Sequence, residues 1–538
     1  MKKHLGLSGR LLLSLLTLAN GLTMGWFGYD QGVFSGVLIS EDFLHHFPKI
    51  KNNHNVSGIT SSCFSLGAFC GAIFAFTFGE RIGRRKTILL GSVFNIVGAV
   101  LQIASFHLPM LIIGRIVNGF GMGMTSSTCP IYQAESTKAK YRGRLVVLGS
   151  VSNTAAYMLS NWMNFGLYFS SGPLEWRFPL AFQLIFPLIS VPIMLIAPES
   201  PRWLMNHGRL EEGYQTIAAL WGKNLSFDDE VVKTEYYSIL ASIEEEKAAQ
   251  VPLKKVLIGK DKHKNLRRVI LGCGTQFMQQ FTGVNALGYY MPTILTVQLG
   301  FSKETAKLLT ACNATSYLGA ALVCLIIIDK IGRRIMMLYG SIGCCITYII
   351  AAIAMKVSET RDTYAMGSLT VSMFFVYYVI YGTSYAKVPW VYSSEINSIG
   401  WRTRGAAAAT ATNWICGFCI TQYTDIAVTN MRWGFYLLFA MIVLCYAPVV
   451  WFFYPETAKR TLEDINFMFD SYDTLFLGKH RELRQRSRPQ LFIDAEVERI
   501  DAIKAANHGK EYDEKLDAYH VEDAKSSRSS NAISTENV

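Results

Sequence analysis

Charged residues are scarce in this sequence: 17% of its 538 residues are Asp, Glu, Lys or Arg, against 51% hydrophobic residues. Soluble chains of this length carry about a quarter charged residues. The shortage argues against a soluble enzyme, a nucleic-acid binder and a disordered chain. The mean hydropathy of +0.23 is also high for a soluble protein. The composition therefore indicates a membrane protein.

Several chemical signals are also missing. The 11 cysteines lie in or beside apolar runs and offer no disulfide framework. Cys416 and Cys419 have a redox or zinc spacing but no nearby His or Cys partners in the sequence, so we expect them to pack and predict no metal site. No phosphate loop or nucleophile–base pattern suggests an enzyme, and no cofactor is expected. The net charge of +11 is assigned to cytoplasmic segments and not to nucleic-acid binding.

Apolar runs of roughly 20 residues recur along the chain, the length that a helix needs to cross a bilayer. Each spanning backbone must satisfy its own hydrogen bonds, so the predicted fold is an all-α integral membrane protein. The twelve runs are Leu11–Gly32, Gly58–Phe78, Lys86–Ser105, Leu108–Ile131, Leu145–Phe169, Arg177–Ala197, Leu266–Thr296, Ala306–Ile328, Ile335–Met355, Met366–Val391, Gly405–Thr424 and Trp433–Tyr454.

One long polar stretch divides these runs into two sets of six. We predict a first six-helix half over 1–197, a cytoplasmic loop over 198–265, a second half over 266–454 and a cytoplasmic tail over 455–538. Twelve helices in two halves are typical of transporters built from repeats.

Basic residues cluster in alternate loops, so the positive-inside rule places both termini and the central loop in the cytoplasm. The expected location is the plasma membrane. The loop after the first run is then exterior, and Asn55 in Asn55-Val56-Ser57 is a candidate N-glycosylation site.

A charged signature occurs once in each half. Glu80 and Arg84 lie between runs two and three, and Asp329 and Arg333 lie between runs eight and nine. Acidic and basic residues also follow runs four and ten at matching places, namely Glu135, Arg142, Glu395 and Arg404. We expect ion pairs among these residues to form a cytoplasmic latch that closes in one state and parts in another.

An ordered set of motifs resembles the sugar porter family of the major facilitator superfamily over about residues 10 to 470. The pieces are Phe27-Gly28-Tyr29-Asp30-Gln31-Gly32, Gly114-Arg115, Pro130-Ile131-Tyr132-Gln133-Ala134-Glu135, Arg142-Gly143-Arg144, Pro198-Glu199-Ser200-Pro201-Arg202, Gln279-Gln280-Phe281-Thr282-Gly283-Val284-Asn285, Val388-Pro389-Trp390 and Pro455-Glu456-Thr457. The resemblance, which extends to fungal proton-coupled carriers of glycerol and monosaccharides, implies a monosaccharide or related polyol as substrate and a monomeric carrier. Glu199 and Glu456 join the expected latch.

A polyol needs hydrogen-bond partners for its hydroxyls and a flat apolar wall for its C–H face. Gln279, Gln280 and Asn285 lie in the seventh run, and only a broken or wide helix face brings all three together. Gly283 lies between them and helps such a break. In the family, the matching amides contact sugar hydroxyls. The further pocket or gate positions that the resemblance implies are Phe27, Tyr289, Trp390, Asn413 and Trp414.

Two positions depart from the family pattern. Ser150 stands where many hexose carriers have glutamine, and Ala386-Lys387 stands where the family has Gly-Pro. A lysine inside a span is expensive and normally faces a cavity or a partner. Lys387 shares a predicted helix face with Trp390. Three roles stay open: pairing with a substrate carboxylate, pairing with an acid such as Asp30, or reaching a water-filled vestibule.

Asp30 and Arg115 are ionisable residues within runs one and four, which makes them functional candidates. An ion pair between them would lower the cost of burying each charge. In the family, the matching residues serve proton coupling, so we expect symport. The alternatives are a facilitative sugar carrier, a sugar-acid symporter and a nutrient sensor that does not transport.

Overall fold

The computed structural model describes residues 8–137, 139–170, 172–221, 230–259, 261, 263–361, 364–472, 476, 480, 482–485 and 488–494. Over these ranges the regular secondary structure is helical. Side chains are described for most of them, but not for Arg142, which lies in a helix whose first side chains fall outside the described set.

The first half holds six passages through the bundle. Its helices are α1 (Gly9–Val37), α2 (Glu41–His46), α3 (Pro48–Asn52), α4 (His54–Ile82), α5 (Arg84–Ile103), α6 (Leu108–Glu135), α7 (Ala139–Gly166), α8 (Leu174–Phe182) and α9 (Ile185–Ile196). α8 and α9 together make the sixth passage, while α2 and α3 lie in the loop predicted to be exterior. The described part of the loop predicted to be cytoplasmic holds α10 (Pro201–Asn206), α11 (Leu210–Trp221), α12 (Glu230–Ala248) and α13 (Leu253–Leu257).

The second half repeats the six passages with two breaks. Its helices are α14 (Asn265–Phe281), α15 (Val284–Val297), α16 (Lys303–Ile331), α17 (Arg333–Arg361), α18 (Tyr364–Thr383), α19 (Val388–Glu395), α20 (Arg402–Met431) and α21 (Trp433–Phe453), followed by α22 (Leu462–Ser471) in the tail. Passage seven breaks at Gly283, whose φ of +87° suits a residue without a side chain. Passage ten breaks over 384–387, immediately before α19. The expected all-α membrane fold is confirmed.

Nine passages in the described ranges are long and apolar enough to cross a membrane by themselves. The other three are α7, α14 with α15, and α20, which bring the total to twelve. These three are more polar because they carry the amides and hydroxyls that meet inside the bundle. Their lower hydropathy therefore follows from an interior position and not from exposure to water.

Close helix contacts hold each half together. α6 packs on α4 and α5, and α17 packs on α18 and α21. At Gly71 and Gly123, an added Cβ would lie 1.9 and 2.0 Å from backbone carbonyl oxygens of the facing helix. Small residues let two helix backbones approach in this way inside a membrane. The halves meet where α4 faces α20, where α7 faces α16, and where α1 faces α15.

Candidate functional site

Three buried amides meet between α14 and α20. Asn413 donates hydrogen bonds to the side-chain oxygens of Gln276 and Gln279, each over 2.7 Å. Gln279 in turn donates to the backbone carbonyl of Tyr385, over 2.8 Å, in the break of passage ten. The sequence predicts Gln279 and Asn413 here, but it does not single out Gln276. Its side-chain nitrogen is buried and has no hydrogen-bond partner among the described residues.

A second chain of amides crosses from one half to the other. Gln31 on α1 donates to Asn285 on α15, over 2.8 Å, and Asn285 donates to Gln280, over 2.6 Å. Gly417 allows α20 to approach this chain, since a Cβ there would lie 3.1 Å from the Asn285 nitrogen. The expected helix break brings Gln280 and Asn285 together. Gln31 belongs to a recognised motif but is not predicted as a site residue, because its sequence context gives no sign of the direction it faces.

Aromatic side chains lie beside the amides. The rings of Phe27 and Trp414 come from opposite halves and have centroids 5.0 Å apart. The indole nitrogen of Trp414 is buried and finds no acceptor in the described part of the chain. Tyr289 is buried on α15, and Trp390 is half-buried on α19. Phe27 and Trp414 therefore form the one aromatic pair of predicted site residues that joins the halves across the described contacts.

The direct ion pair expected between Asp30 and Arg115 is not formed. One carboxylate oxygen of Asp30 accepts a hydrogen bond from Asn118, over 3.0 Å, and the other has no partner among the described residues. The Arg115 guanidinium instead donates to the backbone carbonyl of Ser61 and lies 3.8 Å from the ring centroid of Phe34. Asn118 lies one helical turn after Arg115, so it occupies the position nearest the carboxylate and keeps the arginine one turn away.

Lys387 is buried and forms no ion pair with Asp30 in this structure. It is 5% exposed and donates to the carbonyl of Ser150, over 2.8 Å, and to the hydroxyl of Thr154, over 3.1 Å. The shared helix face with Trp390 is also absent, because α19 begins only at Val388. The two departures from the family pattern, Ser150 and Lys387, thus touch each other across the halves.

At the end of the first half that is predicted to be cytoplasmic, Arg84 is the centre of a charged cluster. It pairs with Glu80 at 2.5 Å and with Glu135 at 3.3 Å. Glu135 also accepts a hydrogen bond from the hydroxyl of Ser200, over 2.6 Å. Glu199 accepts from the backbone nitrogens of Arg85 and Ser200. Burial raises the pKa of Glu199 above its ordinary value of 4.5, because desolvation outweighs those hydrogen bonds.

The second half repeats this cluster residue by residue. Arg333 pairs with Asp329 at 2.9 Å and with Glu395 at 2.8 Å. Glu395 accepts from the hydroxyl of Thr457, over 2.6 Å, and Glu456 accepts from the backbone nitrogen of Arg333, over 2.9 Å. Each cluster stays within its own half in the contacts the structure describes. The expectation of paired charges at matching places agrees with this geometry, and their opening and closing stays a prediction.

Three predicted residues remain: Arg404 and Arg142 of the expected latch, and Asn55, the glycosylation candidate. Arg404 is exposed and lies 5.1 Å from the ring centroid of Trp401, with no carboxylate within 4 Å among the described residues. The side chain of Arg142 lies outside the described set. Asn55 is exposed in the first turn of α4, and its glycosylation stays a prediction. The described cysteines are free, and within these ranges no group of three metal-binding side chains occurs.

The sequence does not predict the contacts that join the halves at the opposite end of the bundle, the end predicted to be exterior. Lys307 on α16 pairs with Glu175 on α8 at 2.6 Å, and both side chains are largely buried. Lys303, one turn earlier, pairs with Glu41 at 2.6 Å. The Lys303 amine lowers the pKa of Glu41 by a direct hydrogen bond and by its charge. His54 on α4 lies 3.3 Å from Asp425 on α20.

This chain is similar to known proteins in both sequence and fold. The profile of the family described as "Sugar (and other) transporter" matches residues 16–469. The chain is 40% identical to the MFS-type transporter oryC of Aspergillus oryzae over 94% of both chains, and 35% identical to Sugar transporter STL1 of Saccharomyces cerevisiae, covering 87% of this chain and 83% of that one. A solved structure of the proton:xylose symporter XylE is similar, with a TM-score of 0.71, 22% identity, and coverage of 85% of this chain and 99% of that chain. The chain belongs to the sugar transporter family of the major facilitator superfamily.

Proposed function

We propose that this protein carries a monosaccharide or a related polyol across the membrane by alternating access, in symport with a proton. The proposal depends on one observation: Asp30 and Gln31 are adjacent on α1, but their side chains hydrogen bond to partners in different halves. Asp30 accepts from Asn118 in the first half, whereas Gln31 donates to Asn285 in the second. A gain or loss of a proton at the Asp30 carboxylate would therefore occur one residue away from the amides that would bind the substrate.

The amides supply the hydrogen-bonding chemistry that a polyol requires. Each of them both donates and accepts, as a hydroxyl does. Gln276 and Trp414 bury donor groups that have no acceptor in the described chain, and an unpaired buried donor is costly. A sugar oxygen would satisfy such a donor. The Phe27 and Trp414 rings offer the flat apolar surface for the C–H face of the ring.

Proton coupling would act through Asp30. A negative charge buried with one bare oxygen is costly, and protonation removes the charge. Loss of the charge would weaken the hydrogen bond that Asp30 accepts from Asn118 and the attraction of Asp30 to Arg115. Helix α1, which carries Gln31, could then move. The similar XylE is named a proton:xylose symporter, and STL1 is named a sugar transporter. Both names agree with the proposal.

The two ends of the bundle would open in turn. The pairs Lys307–Glu175 and Lys303–Glu41 join the halves at the end predicted to be exterior, which supports the assignment of this conformation as closed to the outside. Opening outward would require these contacts to part. We place the protein in the plasma membrane, with its basic loops on the cytoplasmic side.

Uptake by purified protein in liposomes tests the proposal. Glucose, xylose and glycerol are offered with and without an inward proton gradient. Accumulation above equilibrium that depends on the gradient is the expected result. Equilibration without accumulation would contradict symport and make the protein a facilitative carrier. Binding of a sugar without any uptake would favour the sensor instead.

A further inference from the structure

Lys387 is a buried cation whose described partners are neutral. Its ammonium group donates to one backbone carbonyl and one hydroxyl, and no carboxylate lies within 4 Å of it among the described residues. An ammonium group has three donors, so one remains for a further acceptor. Burying an unpaired charge in a membrane protein is expensive, and such residues mark substrate or ion paths.

The charges in the middle of the bundle do not balance. In the described chain, the buried charged side chains at least seven residues from the ends of their passages are Asp30, Arg115 and Lys387. The other buried charges lie closer to a helix end or outside the passages, and Asp425, six residues from the end of α20, lies 3.3 Å from His54. Asp30 and Arg115 are neighbours within the first half, so together they are neutral. Lys387 leaves one positive charge unmatched on the side of the second half.

Lys387 also adjoins the amides of the candidate site. Gln279 donates to the carbonyls of Tyr385 and Ala386, the two residues immediately before the lysine. The ammonium group crosses to α7, where it donates to the carbonyl of Ser150 and the hydroxyl of Thr154. A substrate held by the amides would therefore lie next to a cation at the boundary between the halves.

We propose that the transported substrate carries a carboxylate as well as hydroxyl groups, as a sugar acid does, and that Lys387 binds this carboxylate. The inference rests on the proposed function and specifies its substrate class. The hydroxyls would bind the amides, while the carboxylate would take the third N–H of Lys387 and neutralise its charge. A purely structural link between the halves would need only a neutral donor, without the cost of a buried charge.

Two matched pairs of solutes test this assignment: galacturonate against galactose, and glucuronate against glucose. Each pair differs in the carboxylate at one carbon. The full-length protein in liposomes is compared with Lys387→Met, which keeps the length without the charge, and Lys387→Arg, which keeps the charge. Lys356→Met is the control, because Lys356 is an exposed lysine beside Trp433 at the exterior end of α17.

We expect the wild type to prefer the acid of each pair. A charge-assisted hydrogen bond contributes about 1.5–3 kcal/mol, so Lys387→Met should lower the ratio of kcat/KM for acid over sugar by about 10- to 100-fold. Lys387→Arg should restore part of the ratio, and Lys356→Met should leave it unchanged. A second readout is the effect of an imposed membrane potential on uptake. Transport of one proton with one carboxylate moves no net charge, so the rate of acid uptake should not depend on that potential.

Three results would overturn the assignment. Sugar uptake without acid uptake by the wild type would contradict it and leave the proposed function standing. An equal loss for both members of a pair in Lys387→Met would make the lysine a link between the halves. No uptake and no binding of any of the four solutes by folded protein would reject the proposed function itself.

Discussion

The side-chain nitrogen of Gln31 lies 2.8 Å from the side-chain oxygen of Asn285, and this hydrogen bond joins the two halves of the transporter. Its neighbour Asp30 accepts from Asn118 in the first half alone. Two consecutive residues of one helix are thus a titratable carboxylate and an amide of the proposed substrate site. A carrier that couples two solutes needs such a link, because the state of one site must alter the other.

Asp30→Asn should abolish accumulation against a gradient, because the substituted amide cannot exchange a proton. Exchange of labelled for unlabelled substrate across the membrane should persist, since the amide can still hydrogen bond to Asn118. The measurement is gradient-driven uptake beside counterflow in the same liposomes. Normal accumulation by this variant would remove Asp30 from the coupling step.

Gln31→Ala should weaken substrate binding, because it removes one of the proposed binding amides and would leave a substrate hydroxyl buried without its hydrogen bond. The cost of an unpaired buried group is about 1–3 kcal/mol, which corresponds to a rise in KM of about 5- to 100-fold. Gln215→Ala is a matched control, since Gln215 is a half-buried glutamine on α11, in the segment that joins the two halves, and bonds only to Glu211 in the described contacts. A KM within twofold of wild type for Gln31→Ala would contradict the proposed role.

Gly83→Ala and Gly332→Ala should each destabilise the protein by about 1–3 kcal/mol. Their φ values are +99° and +96°, and an added Cβ would lie 2.6 Å from Glu199 and 2.5 Å from Glu456. Gly166→Ala is the control, because that site has open space around it. Thermal unfolding in detergent compares the three variants, and similar curves for all of them would refute the predicted strain.

Lys307→Met should favour the conformation open to the outside, because it removes one partner of a largely buried pair between the halves. Breaking such a pair costs about 3–5 kcal/mol. Hydrogen exchange at the exterior end of α16 should then become faster. The double variant Lys307→Glu with Glu175→Lys should recover part of the protection. Unchanged exchange in Lys307→Met would show that this pair does not hold the exterior end closed.

Glu199→Gln should change how stability depends on pH. The pKa of Glu199 is raised in the folded protein, so the folded state binds more protons than the unfolded state between pH 4.5 and the raised value. Stability attributable to this group is therefore lost as the pH rises through that window. Glutamine keeps an acceptor for the two backbone nitrogens without the charge. Thermal unfolding of both proteins across the window should show a smaller decline for the variant.

Much of the architecture follows from the sequence because bilayer thickness fixes the length of an apolar run. The repeated motifs around Arg84 and Arg333 also predict charged partners that the structure places within 2.5–3.3 Å. The break near Gly283 follows from a need to gather amides that a straight helix would separate. These inferences use spacing along the chain, which the sequence contains directly.

Contacts between distant helices are harder to infer. Asn118 displaces Arg115 from Asp30 because of helix rotation, and rotation is set by packing against neighbouring helices. The exterior pair Lys307–Glu175 joins residues 132 positions apart, and each lies in a segment with no charged motif. Lys387 is visible in the sequence as an anomaly, yet its partner on α7 is not, because that partner is a backbone carbonyl.

The meeting of Lys387 with Ser150 has a consequence for how such carriers diverge. The lysine donates to the backbone carbonyl of residue 150, so we expect the size of the side chain at residue 150 to affect this contact. The two positions should therefore be exchanged as a pair during evolution. Relatives with lysine at the place of Lys387 should carry a small residue at the place of Ser150, and those that keep glycine and proline in passage ten should keep glutamine. The history of substitutions at these two positions would then show when a lineage of transporters acquired the lysine.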